Sequence, residues 1–213
     1  MEFLPPEIDE YAKAMTSPES VFLRELNRET HLKILTPRML SGHLQGRLLS
    51  MISKMLTPNL IVEVGTYTGY SAVCLAEGLS DRGKLITIDN NKELEPILKK
   101  YLLNSPKAAQ IELHFGDAAK VIENIQGPVD LIFLDADKEN YSLYFDLLID
   151  KLRSGGIILA DNVLWSGKVV QPVKENDRST HALKAFNEKI LHDGRVENLL
   201  LPVRDGIMMI RKK

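Results

Sequence analysis

The stretch Val129-Asp130-Leu131-Ile132-Phe133-Leu134-Asp135-Ala136-Asp137-Lys138 decides the fold of this chain, because a short apolar run ends there in charged side chains. The run is too short for a helix of its own and is rich in Val, Leu, Ile and Phe, which is typical of a strand buried in a parallel sheet. Ligands of parallel α/β sheets bind at the carboxyl ends of the strands. We therefore expect a binding site where this strand ends, at Asp135.

A second apolar run, Ile157-Ile158-Leu159-Ala160-Asp161-Asn162, predicts a neighbouring strand that also ends in oxygen-bearing side chains. Carboxylates and amides are hard oxygen donors suited to Mg²⁺ or Ca²⁺. Two adjacent parallel strands would point Asp135, Asp161 and Asn162 at one place. The pattern thus predicts a divalent-metal site formed by these three residues.

The composition is that of one soluble globular domain. The chain has 213 residues, of which 44% are hydrophobic and 26% charged, so we expect a single domain over residues 1–213. The net charge of -2 argues against a large nucleic-acid-binding surface. No stretch approaches the roughly 20 apolar residues of a membrane span, and the first residues lack the pattern of a secretory signal. We expect a cytoplasmic protein with no membrane partner.

Strands and helices alternate along most of the chain. Residues 1–56 should be helical, with Ser17 and Pro18 as a helix-start signal, and residues 57–213 should form the core. The predicted strands are Leu60–Val64, Leu85–Asp89, Ile111–Phe115, the runs ending at Asp135 and Asp161, Val196–Val203 and Ile207–Ile210. The predicted helices of the core are Tyr70–Leu79, Lys92–Leu103, Asp117–Ile125, Tyr141–Leu152 and Thr180–Leu191. The alternation predicts an α/β fold with a doubly wound, mostly parallel, seven-stranded Rossmann-like sheet, and Asp205-Gly206 signals an antiparallel C-terminal hairpin.

The first strand-to-helix turn, Glu63-Val64-Gly65-Thr66-Tyr67-Thr68-Gly69-Tyr70-Ser71, has a G-x-x-x-G pattern. Glycines let a ligand approach the backbone, and the next helix offers free N–H groups to an anion, although a plain tight turn is the alternative. Glu63 favours a binding role, because an acid at the end of a buried strand is costly unless something binds it. Asp89 ends the second strand, where a carboxylate binds ribose hydroxyls. Together they indicate a nucleoside-bearing cofactor.

Four segments resemble the caffeoyl-CoA / catechol O-methyltransferase family, whose members use S-adenosylmethionine and a divalent metal. The segments are Glu63–Ser71, Phe133–Tyr141, Asp161–Val169 and Asp205-Gly206. The resemblance extends from about Ser41 to the end of the chain. The aspartate-rich motif and the Asp-Asn-x-Leu-Trp motif are highly specific when they occur together.

The resemblance implies roles for individual residues. Metal ligands fall on Asp135, Asp161 and Asn162, and the family's proposed general base falls on Lys138. Cofactor contacts fall on Ser41, Glu63, Gly65, Thr66, Ser71, Asp89, Ala118, Asp135 and Asp137. Asp135, Trp165 and Ser166 would meet the substrate, with Asp135 also counted as catalytic. Plant members carry Asn at the position of Ser166, so the acceptor is less well defined than the donor.

Some of these residues have structural alternatives. Asp137 could be the N-cap of the helix that follows it, Lys138 could be a solvated surface lysine, and Trp165 could belong to the core. These alternatives stay open at the level of sequence.

The sequence predicts an S-adenosylmethionine-dependent, Mg²⁺-dependent O-methyltransferase acting on one hydroxyl of a catechol-like or caffeoyl-like vicinal diol, with Ca²⁺ or Mn²⁺ as other candidate metals. Hydroxylated uridine in tRNA is the alternative acceptor, for which a patch of Arg24, Arg28, Lys33, Arg38 and Arg47 could serve. A binding module without activity is disfavoured, because the ligand residues are intact. The apolar N-terminal segment and the resemblance together predict a homodimer.

Overall fold

The computed structural model describes residues 5–213. Residues 1–4, where the predicted domain begins, lie outside the described range. The helices are α1 (Pro6–Ala14), α2 (Val21–Lys33), α3 (Gly42–Leu56), α4 (Tyr70–Ala76), α5 (Glu95–Leu102), α6 (Ala118–Asn124), α7 (Tyr141–Ile149) and α8 (Arg178–His192). The strands are β1 (Leu60–Val64), β2 (Lys84–Asp89), β3 (Ile111–Phe115), β4 (Val129–Leu134), β5 (Leu152–Asp161), β6 (Val196–Leu201) and β7 (Ile207–Lys212).

The seven strands form one sheet in the order β3-β2-β1-β4-β5-β7-β6. Strands β1 to β5 pair in parallel, and β7 pairs antiparallel with both β5 and β6. The chain order reverses between β1 and β4, which is where α/β sheets bind ligands. The predicted doubly wound sheet with an antiparallel C-terminal hairpin is confirmed.

Helices cover both faces of the sheet. All six residues of β4 are buried, and alternate side chains divide between two apolar clusters. Leu131 and Phe133 pack with residues of α2 to α5, whereas Ile132 and Leu134 pack with residues of α6 to α8. This two-sided burial explains the apolar run Leu131–Leu134 of β4, whereas the buried Asp130 accepts hydrogen bonds from the Asn59 and Leu60 N–H groups. Among residues 5–213, no helix is both long enough and apolar enough to cross a membrane.

Several predicted element boundaries are wrong. Helix α2 begins at Val21, and its N-cap is Ser20, whose hydroxyl accepts a hydrogen bond from the Leu23 N–H; the predicted start at Ser17 lies one turn too early. Strand β5 begins at Leu152, before the apolar run from Ile157 on which its prediction was based. The turn between β6 and β7 spans residues 202–206 and is longer than a two-residue hairpin. Arg204 and Gly206 have positive φ angles in that turn.

Candidate functional site

Strand register brings the predicted site residues to one edge of the sheet. Val64 pairs with Ile88 of β2 and Leu134 of β4, and Leu134 pairs with Ala160 of β5. Asp135 directly follows β4, Asp161 is the last residue of β5, and the Asp135 N–H donates to the Val64 carbonyl at 2.9 Å. The carboxyl ends of β1, β2, β4 and β5 therefore lie level with one another.

The turn after β1 requires glycine at position 65. Gly65 has a φ of +100°, and a Cβ there would lie 2.0 Å from the Asp135 carbonyl oxygen. No other residue fits at this distance, and positive φ adds strain for any L side chain. The predicted binding turn is thus pressed against the end of β4, where the acidic motif begins.

Glu63 is completely buried beneath this turn. Its Oε2 atom accepts a hydrogen bond from the Thr87 hydroxyl at 2.5 Å, and Thr66 Oγ1 lies 2.5 Å from the same hydroxyl. The Oε1 atom is buried and has no hydrogen-bond partner within residues 5–213. Burial raises the pKa of Glu63 to about 8 against the opposing effect of the Thr87 and Ser71 hydroxyls. An unpaired acceptor at this position fits a ligand that brings a donor or a positive charge.

Asp89 holds the backbone around the turn. Its Oδ2 atom accepts from the Tyr67 N–H at 2.7 Å, and its Oδ1 atom accepts from the Asn91 N–H at 2.8 Å. Each carboxylate oxygen keeps a second lone pair, so Asp89 can still accept from ribose hydroxyls. Asp89 therefore supports the turn as well as offering acceptors, a contribution that was not predicted.

The remaining predicted cofactor residues, Ser41, Ser71, Ala118 and Asp137, lie on four different segments of the chain. Ser71 is buried in the first turn of α4, and Ser41 is buried just before α3. Ala118 begins α6, and the preceding Gly116 N–H donates to the Asp89 carbonyl at 2.9 Å. Asp137 is exposed and accepts from the Tyr144 hydroxyl at 2.7 Å. Asp137 occupies the N-cap position of the 3-10 turn Lys138–Asn140, as the N-cap alternative predicted, but its side chain makes no capping hydrogen bond.

Lys138 is buried and lies between a carboxylate and a phenol. Its Nζ atom donates to Asp135 Oδ1 at 3.0 Å and to the Tyr141 hydroxyl at 2.7 Å, and only 8% of its side chain is exposed. A solvated surface lysine would have neither this burial nor a hydrogen bond to a buried phenol. The surface alternative for Lys138 is therefore wrong.

Asp161 is 3% exposed and accepts two hydrogen bonds within the site. Its Oδ2 atom accepts from Gln45 Nε2 at 2.6 Å, and its Oδ1 atom accepts from the Asn162 N–H at 2.7 Å. Burial and the negative charge of Asp135 raise the pKa of Asp161 to about 6. Two carboxylates that repel each other in a buried site are a fitting environment for a cation.

The donor set fits a hard divalent cation. Asp135 and Asp161 supply carboxylate oxygens, and Asn162 supplies an amide from a backbone position with a φ of 61°. No cluster of three or more His, Cys, Asp or Glu side chains suited to a metal occurs in the part of the chain described. A three-residue protein set at this edge therefore depends on the Asn162 amide.

The segment after Asn162 forms a further wall of the site. Trp165 packs against the apolar cluster of α6 to α8, but its Nε1 atom is buried and has no hydrogen-bond partner within the described residues. The Ser166 N–H donates to an oxygen of the Asp205 carboxylate. Burial raises the pKa of Asp205. The predicted core role of Trp165 is therefore compatible with its position beside the site.

Three residues of this site were not singled out from the sequence: Gln45, Tyr141 in a site role, and Arg204. Gln45 and Arg204 carry no local motif. Tyr141 directly follows the aspartate-rich motif, which was the only available signal for it.

Comparison with known proteins agrees with this arrangement. A family model described as O-methyltransferase matches residues 13–213. Caffeoyl-CoA O-methyltransferase 5 of Nicotiana tabacum is 32% identical over 209 residues, covering 91% of this chain and 87% of that protein. The SAH-bound Podospora anserina methyltransferase PaMTH1 superposes with a TM-score of 0.90 at 27% identity, covering 100% of this chain and 99% of the other. An O-methyltransferase from Bacillus cereus in complex with SAH has a TM-score of 0.89 at 29% identity, with 97% of each chain covered. The predicted resemblance is confirmed: the chain belongs to the O-methyltransferase family.

Proposed function

We propose that this protein transfers a methyl group from S-adenosylmethionine to one hydroxyl of a catechol-like or caffeoyl-like vicinal diol, with Mg²⁺ bound at Asp135, Asp161 and Asn162. The observation that carries the proposal is the Gly65 turn pressed against Asp135. It joins a site suited to a nucleoside to two carboxylates, the half-buried Asp135 and the buried Asp161. The same oxygen donors also suit Mn²⁺ and Ca²⁺, which are the other candidate metals.

The donor half of the proposal rests on Glu63 and Asp89. S-adenosylmethionine carries positive charge and ribose hydroxyls, and Glu63 offers a buried acceptor without a partner. Asp89 offers the remaining lone pairs of a carboxylate that is already fixed by two backbone N–H groups. Both acceptors are held in place before the donor binds, which lowers the entropic cost of binding.

The acceptor half rests on the Asp135 and Asp161 edge. A divalent cation held by Asp135, Asp161 and Asn162 would supply Lewis acidity that makes a hydroxyl of the diol easier to deprotonate. Lys138 is held against Asp135, and in its neutral amine form it would receive the hydroxyl proton and become an ammonium. The oxygen–methyl bond then forms as the sulfur–methyl bond breaks, and the chain's contribution to this step is the alignment of the two reactants.

The tRNA alternative has less support on this chain. Of the five basic residues considered for it, Lys33 forms an ion pair with Glu29, and Arg47 forms one with Glu77. Both cations are thus already neutralised by a neighbouring acid, which weakens any patch for phosphates. We retain the alternative as one arm of the test.

A panel assay tests the proposal. Purified protein with labelled S-adenosylmethionine is offered catechols, caffeoyl esters and bulk tRNA, each with Mg²⁺ and with excess chelator. Label should enter the diols, and only when Mg²⁺ is present. Label in tRNA alone would show that tRNA, and not a diol, is the acceptor. Full transfer in excess chelator would refute the requirement for a metal.

A further inference from the structure

Gln45 connects Asp161 to a distant arginine, and this connection is outside every role assigned above. We propose that Gln45 is a positioning residue that aims the Asp161 carboxylate, and that Arg204 fixes the orientation of the Gln45 amide. The inference depends on the proposed function in one respect: metal affinity is used to detect a change in the position of Asp161.

The three side chains form one chain of hydrogen bonds. Gln45 is completely buried in the first turn of α3, and its Nε2 atom donates to Asp161 Oδ2 at 2.6 Å. Arg204 Nη1 donates to Gln45 Oε1 at 2.7 Å. Both polar ends of a buried amide are therefore satisfied, and each end has a partner of fixed hydrogen-bonding character.

This pairing permits one orientation of the amide. A guanidinium has only donors, so it requires the Gln45 oxygen, and an ionised carboxylate has only acceptors, so it requires the Gln45 NH₂ group. A flipped amide would place donor against donor at Arg204 and acceptor against acceptor at Asp161. In a buried site each such mismatch leaves a polar group unsatisfied. The Asp161 carboxylate is thus held by a donor that cannot turn away.

Arg204 also holds the backbone that precedes α3. The same Nη1 atom donates to the Leu40 carbonyl at 3.1 Å and to the Ser41 carbonyl. Arg204 lies in the turn between β6 and β7 with a φ of 51°, a conformation that non-glycine residues seldom adopt. Arg204 therefore contacts both the segment that carries Ser41, a predicted contact of S-adenosylmethionine, and the Gln45 amide that supports Asp161.

The two variants should therefore differ in their effects. Replacing Gln45 removes the donor on Asp161 and leaves the Ser41 carbonyl with Arg204. Replacing Arg204 releases the Gln45 amide and the Leu40–Ser41 backbone together. A general loss of stability would weaken the binding of metal and of S-adenosylmethionine alike, and so would not produce this difference between the two variants.

The experiment compares wild type with Gln45→Met, Arg204→Met and Ser53→Ala. Ser53 is a buried residue of the same helix, and its hydroxyl donates to the Leu75 carbonyl at 2.6 Å, so it controls for the loss of any buried hydrogen bond in α3. Mn²⁺ affinity and SAH affinity are measured by calorimetry without acceptor. Metal-free crystal structures of each protein report the position of the Asp161 carboxylate.

Gln45→Met should weaken Mn²⁺ binding by roughly 10- to 100-fold, the usual effect of removing a group that orients a ligand. Its SAH affinity should stay within about twofold of wild type, whereas Arg204→Met should weaken both ligands. Ser53→Ala should change neither. Gln45→Met with wild-type Mn²⁺ affinity and an unmoved Asp161 carboxylate would overturn the inference.

Failure of the metal proposal is distinguishable from failure of this inference. If wild type binds no Mn²⁺, the metal is refuted, and the crystal structures alone decide whether Asp161 moves in Gln45→Met and stays in Ser53→Ala. If Gln45→Met does not fold, Gln45→Asn takes its place, because the shorter amide keeps its polarity but cannot reach both partners. An unmoved Asp161 in that variant would equally overturn the inference.

Discussion

The hydroxyl of Tyr141 lies 3.0 Å from the carbonyl oxygen of Asp161, and the same hydroxyl accepts a hydrogen bond from Lys138. It also lies 3.0 Å from the Leu134 carbonyl, so one phenol connects the ends of β4 and β5. Burial raises the pKa of Tyr141 well above that of an exposed tyrosine, which keeps the phenol neutral. Lys138 is therefore attached to the frame of the site, and its Nζ atom lies against Asp135.

Lys138→Met should lower kcat by about 10²- to 10⁴-fold on ordinary catechols, the range for a positioned acid or base. The affinities for metal and S-adenosylmethionine should barely change. The deficit should shrink for nitrocatechols, since their acidic hydroxyl arrives as an anion and needs no base. Steady-state kinetics on matched acceptors would measure this difference.

The control for Lys138→Met is Tyr141→Phe, which removes the phenol that holds Lys138 Nζ but keeps the Lys138 amino group. Its rate should fall less than that of Lys138→Met. An equal loss on acidic and ordinary catechols would mean that Lys138 orients the substrate. If Lys138→Met kept rates within a factor of about three of wild type on every acceptor, Lys138 would have no part in the chemistry.

The two carboxylates at the sheet edge should be essential for transfer. Asp135→Ala or Asp161→Ala removes a charged oxygen from the predicted cation site and should abolish activity while circular dichroism stays close to wild type. EDTA should have the same effect on the unchanged protein, and added Mg²⁺ should reverse it. A normal rate in Asp161→Ala would contradict the proposed mechanism.

Asp89→Ala should raise the KM for S-adenosylmethionine at least tenfold, because charge-assisted hydrogen bonds to ribose contribute roughly 1.5–3 kcal/mol each. The KM for the acceptor should stay near wild type. Asp89 also holds the Tyr67 and Asn91 N–H groups, so Asp89→Asn, which keeps one acceptor oxygen, is the matched variant. A larger effect on the KM for the acceptor would show that the end of β2 binds the acceptor and not S-adenosylmethionine.

Local pattern was enough to predict the sheet and the acids at its edge. A strand buried on both faces is mostly apolar, as β4 is from Leu131 to Leu134, and the charged residue after that run, Asp135, marks its end. Because adjacent parallel strands end at the same edge, Asp135 and Asp161 could be placed together before their register was known. The positions follow from periodicity and topology alone.

Long-range packing determined what could not be predicted. Gln45 meets Asp161 across 116 positions of sequence and Arg204 across 159, and neither contact leaves a local signal. The start of α2 was misplaced for a different reason: Ser17 and Ser20 are both good N-caps, and only the structure shows which hydroxyl accepts from the helix.

The predicted homodimer is tested most directly through the exposed apolar residues of the N-terminal segment. Leu23 and Leu26, which contributed to that expectation, are buried within the chain, whereas Leu32 is 72% exposed and Leu35 is fully exposed. Light scattering should give twice the chain mass of 24.0 kDa. Leu35→Glu should lower the apparent mass, and Leu191→Glu, at an exposed position on α8, should not. A wild-type mass of one chain would refute the dimer.

Glu63 should make the stability of the ligand-free protein fall as pH rises. Burial raises its pKa to about 8 from an ordinary 4.5, so between these values the folded protein holds a proton that the unfolded chain has released. The folded state therefore binds more protons, and the free energy of unfolding decreases from about pH 4.5 to about pH 8. Glu63→Gln keeps an acceptor for Thr87 and has no proton to lose, so its urea unfolding should depend less on pH over this range. The control is Glu123→Gln, at an exposed position on α6, which should keep the wild-type slope. Equal slopes in wild type and Glu63→Gln would show that Glu63 is already ionised in the folded protein.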